Sequence, residues 1–369
     1  MKIELFAPLR FKKSNLTESD LNNYTDGINS SRYASKGRYS IIHILHSLNI
    51  YNGKVLISGY MCPSVEETLI KHGFSVGYFD IDLRDLNPSL DDIEKCLNED
   101  HCVAVIAPSL YGNPADLEAI YEICKRHNTC MIDDAAQSCG ALLNGKRIGG
   151  FGDGGFISFS PGKPTSGHMG SFFWSNLSNS YNVNRSHHCL FHYVSYLEYL
   201  FTRYYIYKTP KFLQKFIYMT CRFVDGRVNL INDDICEFEK RILGGIILQN
   251  EENVVSRNLM LNYIVSEISN IQPDFRIIRN VRGRPNNSKL VLLFDNKENA
   301  TRFKSLLTAR KIAFYGGYKI PITKSNLNNC RIIDGCIVEL PLEMNEKRMN
   351  YMIKVINEYI KDNNYDKCN

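Results

Sequence analysis

The sequence predicts an α/β protein with two domains, and two observations carry this prediction. Strand-like and helix-like stretches alternate through the first half of the chain, which is typical of a mostly parallel sheet with helices on both faces. The 369 residues also exceed what one hydrophobic core usually serves. We therefore expect a large domain over residues 1–235 and a smaller α/β domain over residues 236–369.

The predicted strands of the large domain are short apolar runs, and the helices between them carry apolar residues at helical spacing. Val55-Leu56-Ile57 lies between two glycines and is expected to be a buried strand. The next helix is expected to begin at Ser64, since Ser64-Val65-Glu66-Glu67 has the capping-box spacing, and to end near Gly73. The other expected elements are strands at 74–81, 103–106 and 129–132, and helices at 39–48, 90–97 and 117–126.

The second domain is predicted from the same kind of pattern. A long helix is expected over 238–269, followed by a strand at 290–294 and a helix at 297–310. A second strand is expected at 336–340, and a last helix through Ile360. Two strands covered by three helices indicate a small α/β unit.

The most informative segment of the chain ends at Lys163. It begins with Met131-Ile132-Asp133-Asp134-Ala135-Ala136-Gln137, continues through a Gly-rich run, and closes with Ser158-Phe159-Ser160-Pro161-Gly162-Lys163. A pyridoxal 5′-phosphate (PLP) enzyme needs a carboxylate to keep the pyridine nitrogen protonated, hydroxyl or amide donors for the phosphate, and a lysine for the Schiff base. A lone lysine in such a segment is more often a solvated loop residue, but the upstream order favours the catalytic role.

With these motifs the chain resembles the sugar aminotransferases of the DegT/DnrJ/EryC1/StrS type, which are fold-type-I PLP enzymes. The shared pattern is a strand ending in acidic-Asp-Ala-Ala-Gln/His, a Gly-Asp segment, and Ser-Phe-x-x-x-Lys before a Gly-rich strand. The separation of Asp134 and Lys163, 163 − 134 = 29 residues, is also similar. The resemblance implies a large domain with a mostly parallel, seven-stranded type of sheet covered by helices. Weaker agreement is found at Lys36-Gly37-Arg38, Tyr60-Met61-Cys62-Pro63-Ser64, Tyr78-Phe79-Asp80-Ile81-Asp82, Tyr318-Lys319-Ile320-Pro321 and Leu340-Pro341-Leu342.

The resemblance also implies a role for each matching residue. Asp134 corresponds to the pyridinium partner, Gln137 to the residue packed on the cofactor ring, Ser158 to the phosphate-binding hydroxyl and Lys163 to the Schiff-base lysine. Successive strand residues point to opposite faces, so only one of two adjacent aspartates can face the cofactor. The resemblance selects Asp134, which leaves Asp133 as an expected strand-end or surface carboxylate.

One departure from the family pattern concerns the phosphate. Lys36-Gly37-Arg38 stands where the family has a Ser-Gly-Thr-like tripeptide, at the start of the predicted helix 39–48. A helix start with a glycine and free N–H groups is a ready phosphate site. Gly37 and Arg38 are therefore expected to be phosphate neighbours.

Two further departures concern the cofactor ring and the segment after the lysine. Cys62 occupies the position where the family often places an aromatic side chain over the ring, with Tyr60 close by, so the stacking residue is left open. The family's Gly-Glu-Gly-Gly becomes Gly167-His168-Met169-Gly170. His168 is either a substrate contact or a loop histidine, and we favour the loop interpretation.

The activity implied by the resemblance is a PLP-dependent amino transfer, with glutamate as donor and a keto sugar as acceptor. We expect the sugar to be nucleotide-linked and the product to serve surface-glycan or amino-sugar biosynthesis. A small keto-phosphate acceptor stays open.

Two alternatives to amino transfer are considered. One is another PLP reaction on the same scaffold, such as sugar dehydration. Relatives that do this replace the lysine by histidine or add iron–sulfur cysteines, and Lys163 and the absence of a clustered cysteine set argue against both. The other is a catalytically lapsed PLP-fold binding module, which the departures at Cys62 and His168 keep open.

The composition suggests a cytoplasmic enzyme. The 12 cysteines form no CxxC pair, and no secretory segment follows Met1, so reduced thiols are expected. His187-His188-Cys189 is a cluster, but adjacent side chains rarely converge on one ion, and no metal is expected. The net charge of +5 comes with no nucleic-acid-binding motif and suits anionic small substrates.

Residues 181–223 are crowded with aromatic and basic side chains and are expected to form a helical insertion. The charges exclude an uninterrupted membrane span. We favour an insertion packed on the large domain or on a partner subunit. The alternative is an interfacial helix pair that touches an anionic membrane surface. Flotation with anionic liposomes, comparing wild type with Lys208/Lys211/Lys215→Glu, separates the two, since a structural insertion floats in neither protein.

The resemblance further implies a homodimer, because fold-type-I relatives build their active sites across a two-fold interface. The family often supplies an asparagine from the partner subunit. Asn229 is the candidate counterpart in this chain, although the surrounding pattern has drifted.

Overall fold

The computed structural model describes residues 32–177, 190, 192–197, 235–268, 274–321, 327–342 and 345–368. Within these residues the chain forms a seven-stranded sheet, a three-stranded sheet and a two-stranded ribbon, with helices packed on the two larger sheets. The predicted α/β class is confirmed. The domain boundary at residues 235 and 236 stays a prediction.

The seven-stranded sheet is built from the first half of the chain. Its central strands are parallel neighbours, whereas β9 runs antiparallel to the strands on both sides. Its strands are β1 (Arg32–Ala34), β2 (Gly53–Ser58), β3 (Phe74–Phe79), β4 (Ala104–Pro108), β5 (Cys130–Asp134), β8 (Gly154–Ser158) and β9 (Ser171–Ser175). They are arranged in the order β1-β9-β8-β5-β4-β2-β3. The two-stranded ribbon consists of β6 (Leu142–Leu143) and β7 (Lys146–Arg147). The mostly parallel sheet is as predicted.

Apolar side chains cover both faces of this sheet. Alternate residues of β2 divide between two core clusters, since Val55 and Ile57 belong to one cluster and Leu56 belongs to the other. A strand that is buried on both faces has consecutive apolar residues in its sequence, which explains the sequence of β2. The helices in this part of the chain are α1 (Gly37–Ser47), α2 (Pro63–Lys71), α3 (Leu90–Glu99) and α4 (Leu117–Arg126).

The start of α2 differs from the prediction. The capping box expected at Ser64 is not formed, because the helix begins one residue earlier, at Pro63, and its N-cap is Cys62. Proline is well suited to the first helical position, since its fixed φ is helical and its missing N–H has no partner there anyway. The predicted boundary was therefore wrong by one residue, and the side chain of Cys62 is placed at the helix start.

The three-stranded sheet is antiparallel and has its own core. Leu290, Leu292 and Phe294 from its central strand pack with helical residues in this core. The strands are β10 (Phe275–Ile277), β11 (Lys289–Phe294) and β12 (Ile337–Pro341), in that order, and the helices are α5 (Glu237–Glu267), α6 (Lys297–Ala309), α7 (Asn328–Ile333) and α8 (Glu346–Cys368).

Asp80 fastens the second part of the chain to the large sheet. Its carboxylate accepts hydrogen bonds from the backbone N–H groups of Asn329, at 2.6 Å, and Cys330, at 2.9 Å. These N–H groups lie in the first turn of α7, where no carbonyl of the helix is available to them. The carboxylate therefore caps α7 from a residue that directly follows β3 and belongs to the Tyr78-Phe79-Asp80-Ile81-Asp82 motif.

Most of the predicted insertion at 181–223 lies outside the described residues. Residues 192–197 are helical, and the ring of Tyr196 lies 5.9 Å from that of Phe238 in α5. The candidates Asn229 and His187-His188-Cys189 also lie outside the described part. Within the described ranges, no helix combines the length and the apolar character needed to cross a membrane.

Asp133 shapes the Gly-rich loop that follows β5. It is fully buried, and its Oδ2 atom accepts hydrogen bonds from the N–H groups of Gly149, at 2.6 Å, and Phe151, at 3.1 Å. Of the two expectations for Asp133, the strand-end position is confirmed and the surface position is wrong, because the loop folds back over the strand end. Burial raises the pKa of Asp133 to about 7, against the opposing effect of the two N–H groups.

Replacing Asp133 by asparagine should change how stability depends on pH. The folded-state pKa lies above the ordinary 3.8, so the carboxyl contributes most below about pH 3.8 and its contribution falls as pH rises to about 7. The contribution to the free energy of unfolding that is lost over this range is on the order of 4 kcal/mol, at about 1.4 kcal/mol per pKa unit. Asparagine keeps an acceptor oxygen and cannot ionise, so urea unfolding should show wild type losing stability relative to Asp133→Asn between pH 4 and 7. A difference that does not vary with pH would contradict this account.

Candidate functional site

A cavity of about 450 Å³ lies at the carboxyl ends of β2, β4, β5 and β8. Ligands bind at this edge in open parallel sheets. Residues after these strands form one wall, and the second sheet supplies the other. The lining residues that matter below are Lys36, Gly37, Arg38, Cys62, Asp134, Gln137, Ser158, Lys163, His168, Lys289, Tyr315, Tyr318 and Glu339.

Asp134 and Lys163 are brought together in this cavity. Asp134 is the last residue of β5, is 7% exposed, and accepts a hydrogen bond from the N–H of Ala136 at 2.9 Å. Lys163 is half-buried in the turn after β8. Burial raises the pKa of Asp134 while the charge of Lys163 opposes the rise, and burial lowers the pKa of Lys163 while the charge of Asp134 opposes the fall. The two groups therefore influence each other electrostatically.

The start of α1 lies against Ser158 at the end of β8. A Cβ atom at Gly37 would stand 3.0 Å from the ring of Phe156 and 3.2 Å from Cβ of Ser158, so a larger residue would require these side chains to shift. The first N–H groups of a helix have no acceptor within the helix. A hydroxyl and a helix N-terminus thus face one point of the cavity, with Lys36 and Arg38 in the lining. The predicted neighbours Gly37, Arg38 and Ser158 are brought together.

Gln137 is fixed in one orientation by two contacts. Its Nε2 group donates to the hydroxyl of Tyr318, and its Oε1 atom accepts from the N–H of Tyr111 at 3.0 Å. Tyr318 follows Tyr315, which forms an isolated β-bridge with Glu339 of β12, so the Gln137 amide joins the two walls of the cavity. A side chain held in this way can present a fixed face to a planar ligand.

Cys62 lies in the cavity lining, whereas Tyr60 points elsewhere. The thiol of Cys62 is 3.1 Å from the hydroxyl of Ser64. Tyr60 is 1% exposed, and its hydroxyl is 2.6 Å from that of Tyr111 in the core. Of the two candidates left open for the ring-facing position, only Cys62 reaches the cavity.

His168 lies in the loop before β9, and its ring is held by other side chains. Its Nε2 atom is 2.8 Å from the hydroxyl of Ser195, and its Nδ1 atom is 3.6 Å from the carboxylate of Glu239. The same carboxylate is 2.8 Å from Nδ1 of His192 and accepts from the N–H of Cys236 at 2.9 Å. This buried cluster connects the cavity lining with the start of α5.

The cluster also bears on the prediction that the protein holds no metal. His192, Cys236 and Glu239 each place one potential ligand atom within 4.8 Å of the others. Glu239 is already engaged by hydrogen bonds from its neighbours. The absence of a metal stays a prediction.

Glu239→Gln should lower the free energy of unfolding at neutral pH and leave it unchanged in acid. Burial alone would raise the pKa of Glu239, but the two imidazoles and the Cys236 N–H outweigh it and lower the pKa to about 2. A depressed pKa gives a contribution that is complete above the ordinary 4.5 and is lost as pH falls to about 2. The difference from wild type should be on the order of 3 kcal/mol at pH 7 and should vanish near pH 2. Thermal unfolding across this range measures it.

Glu237→Gln is the matched control, because Glu237 lies in the same helical turn with its side chain 79% exposed. Glu237→Gln should leave the loss of stability between pH 4.5 and about pH 2 the same as in wild type. Equal effects of the two substitutions would show that the cluster contributes nothing specific.

Sequence reasoning missed two charged residues of the cavity, Lys289 and Glu339. Both belong to the second sheet, and both line the cavity. The available signal was Glu339 itself, a single charged residue inside the apolar strand Ile337-Val338-Glu339-Leu340. A charge in a buried strand needs a partner, and the partner is contributed by the neighbouring strand.

Comparison with known proteins agrees with the resemblance for the first half of the chain. Residues 27–177 match the model of the DegT/DnrJ/EryC1/StrS aminotransferase family. A UDP-N-acetyl-3-dehydro-alpha-D-glucosamine 3-aminotransferase of Acidithiobacillus ferrooxidans is 31% identical over 130 residues, which are 35% of this chain and 35% of the relative. A GDP-4-keto-6-deoxy-D-mannose 3-dehydratase of Yersinia pseudotuberculosis is 38% identical over 92 residues, 25% of this chain and 23% of the relative. The chain thus spans about a third or less of these relatives' length.

The fold extends further than these sequence matches. A DegT DnrJ EryC1 StrS aminotransferase from Brucella abortus superimposes with a TM-score of 0.71 at 17% identity, covering 93% of this chain and 89% of that one. At this identity the superposition shows a common fold. The expected fold is confirmed.

Proposed function

We propose that this chain, whose residues 27–177 match the model of the DegT/DnrJ/EryC1/StrS aminotransferase family, is a PLP-dependent aminotransferase of that family. In this proposal an amino group passes from glutamate to a nucleotide-linked keto sugar. The observation that carries it is the convergence of Asp134, Ser158 and Lys163 with the glycine start of α1 in one cavity.

The groups in the cavity fit PLP. Asp134 is a buried carboxylate suited to a protonated ring nitrogen, and Gln137 presents a fixed amide beside it. Ser158 and the N–H groups at Gly37 suit a phosphate. Bound there, PLP would supply an electron sink for charge that develops at the α-carbon of an amino donor.

Lys163 is proposed to carry the proton during the reaction. Burial lowers the pKa of its amine, which increases the neutral fraction that accepts a proton at physiological pH. Asp134 has the complementary task of holding a proton at the ring nitrogen. The N–H of Ala136 favours the ionised carboxylate needed for this.

Sugar dehydration is the second candidate, because one relative is named a 3-dehydratase. The presence of a lysine amine in the cavity favours amino transfer, since the resemblance associates dehydration with replacement of this lysine by histidine. The third candidate function is that of a binding module with a PLP-enzyme fold and no catalytic activity. Incubation with PLP, glutamate and a panel of nucleotide-linked keto sugars, with mass detection of products, separates amino sugar, deoxy sugar and no product.

Lys163 is expected to bind PLP covalently. Borohydride reduction of the loaded protein should fix the cofactor mass on the peptide that contains Lys163, and Lys163→Ala should bind PLP only non-covalently. Asp134→Asn should lose turnover by roughly a hundredfold or more while the fold remains intact, since only the pyridinium partner is removed. Peptide mass spectrometry, circular dichroism and turnover measure these outcomes.

Each assignment has an outcome that contradicts it. Labelling of another lysine would remove Lys163 from its role. Near-normal turnover of Asp134→Asn would transfer the role of pyridinium partner away from this carboxylate.

We also propose a homodimer whose partner subunit completes each site, in line with the family resemblance. Sedimentation velocity should show a dimer at micromolar concentration, and an active monomer would refute it. Cytoplasmic location and contact of residues 181–223 with an anionic membrane stay predictions.

A further inference from the structure

The second sheet contributes a charged pair to the cavity wall. Lys289 begins β11, and Glu339 lies in the middle of β12 opposite Val291, so the two charged residues are diagonal neighbours on one face. The ammonium of Lys289 donates a hydrogen bond to Oε2 of Glu339. Their side chains are 20% and 5% exposed, and both line the cavity. A pair this buried faces the cavity instead of bulk water.

Contacts from behind hold the pair in place. The hydroxyl of Tyr111 donates to Oε1 of Glu339 at 3.0 Å, and the hydroxyl of Tyr60 lies 2.6 Å from that of Tyr111. The ammonium of Lys289 lies 4.4 Å from the ring centre of Tyr315. Both charged groups are therefore positioned before a ligand enters, which reduces the entropy lost on binding.

The pair lies within electrostatic reach of the amine that does the proposed chemistry. Burial and Asp134 have the largest influence on the pKa of Lys163, and beyond them Lys289 lowers it and Glu339 raises it. Because Lys163, Lys289 and Glu339 line the same cavity, a molecule that reacts at Lys163 can contact this wall at the same time.

The pair retains hydrogen-bonding capacity toward the cavity. An ammonium has three N–H bonds and a carboxylate has about four acceptor positions. The contacts above use one N–H of Lys289 and one position on each oxygen of Glu339. A sugar hydroxyl both donates and accepts, so it can bind Glu339 and Lys289 together. A carboxylate at the same point could accept from Lys289 but has no proton to donate to Glu339, whose negative charge would repel it.

We infer that Lys289 and Glu339 bind hydroxyl groups on the sugar ring of the acceptor and select uncharged keto sugars over keto-uronates. The inference rests on the proposed function, because it assigns a task within that reaction. It makes the two residues specificity determinants and leaves the amino donor to other parts of the cavity.

The test separates the two half-reactions by following the cofactor absorbance in single turnovers. One half-reaction uses glutamate, and the other uses the keto sugar that wild type accepts in the product assay, together with its analogue carrying a carboxylate at the exocyclic carbon. Lys289→Met and Glu339→Gln are compared with Lys347→Met, which removes an exposed lysine at the start of α8. The double variant Lys289→Met/Glu339→Gln leaves no buried charge without its partner, so it guards against misfolding of the single variants.

Both single variants and the double variant should slow the acceptor half-reaction by roughly tenfold to a hundredfold in kcat/KM, as expected for the loss of one or two charge-assisted hydrogen bonds. The glutamate half-reaction should stay within about twofold. Glu339→Gln leaves a net positive charge, so the ratio of kcat/KM for the carboxylate analogue over the neutral sugar should rise by roughly tenfold. Lys347→Met should match wild type in every measurement.

Three outcomes would overturn the inference. Equal slowing of both half-reactions in the double variant would assign the pair to the donor or to the fold. An unchanged acceptor half-reaction would remove the pair from substrate binding. If wild type completes the glutamate half-reaction and consumes no keto sugar, the proposed function falls together with the inference.

Discussion

The site depends on the alternation of side chains at the end of one strand. Asp133 and Asp134 are consecutive residues of β5, and their carboxylates point to opposite faces of the sheet. Asp133 binds the N–H groups of Gly149 and Phe151 and so closes the Gly-rich loop over one face. Asp134 is left on the other face, in the cavity. Because the loop leads into β8, the carboxylate that closes it also determines where the Ser158 end of that strand lies.

The second sheet makes the cavity two-sided. Asp80 binds the first turn of α7, and Gln137 joins the hydroxyl of Tyr318 to the backbone of Tyr111, so polar contacts cross between the walls. Hydrogen bonds to buried groups are costly to break without replacement. The two walls are therefore held at a defined separation, which is the condition for positioning one ligand against residues from both.

The sequence was sufficient to predict those helices and strands that local sequence patterns determine. Helix α4 was predicted with its observed limits, and β2 and β11 were predicted within two residues, because caps and apolar runs are local signals. The ribbon β6–β7 also carries a local signal, because Asn144-Gly145 joins its two strands in a tight turn with positive φ at both residues. Short β1 has no such signal, since its three residues are set by pairing with the distant strand β9. Burial of Asp133 was missed for the same reason. Its loop approaches from more than ten residues away.

The candidate site divides in a similar way. Asp134, Ser158 and Lys163 lie in one contiguous motif, so sequence alone places them together. Lys289 and Glu339 lie far downstream on different strands, and only the register of β11 and β12 brings them side by side. A lone charged residue in an apolar strand indicates that a partner exists, but it does not identify the partner residue.

The distribution of charge within the cavity follows from these pairings. Asp134 and Lys163 lie at the strand ends of the large sheet, and Lys289 and Glu339 form an ion pair on the second sheet, so each wall carries one acidic and one basic residue. Lys36 and Arg38 line the cavity at the start of α1, where the helix N-terminus adds positive potential. A ligand with an anionic group and an uncharged body would therefore enter with its anion toward α1 and its body between the two pairs. The field of the cavity would favour one orientation of such a ligand before any specific hydrogen bond forms.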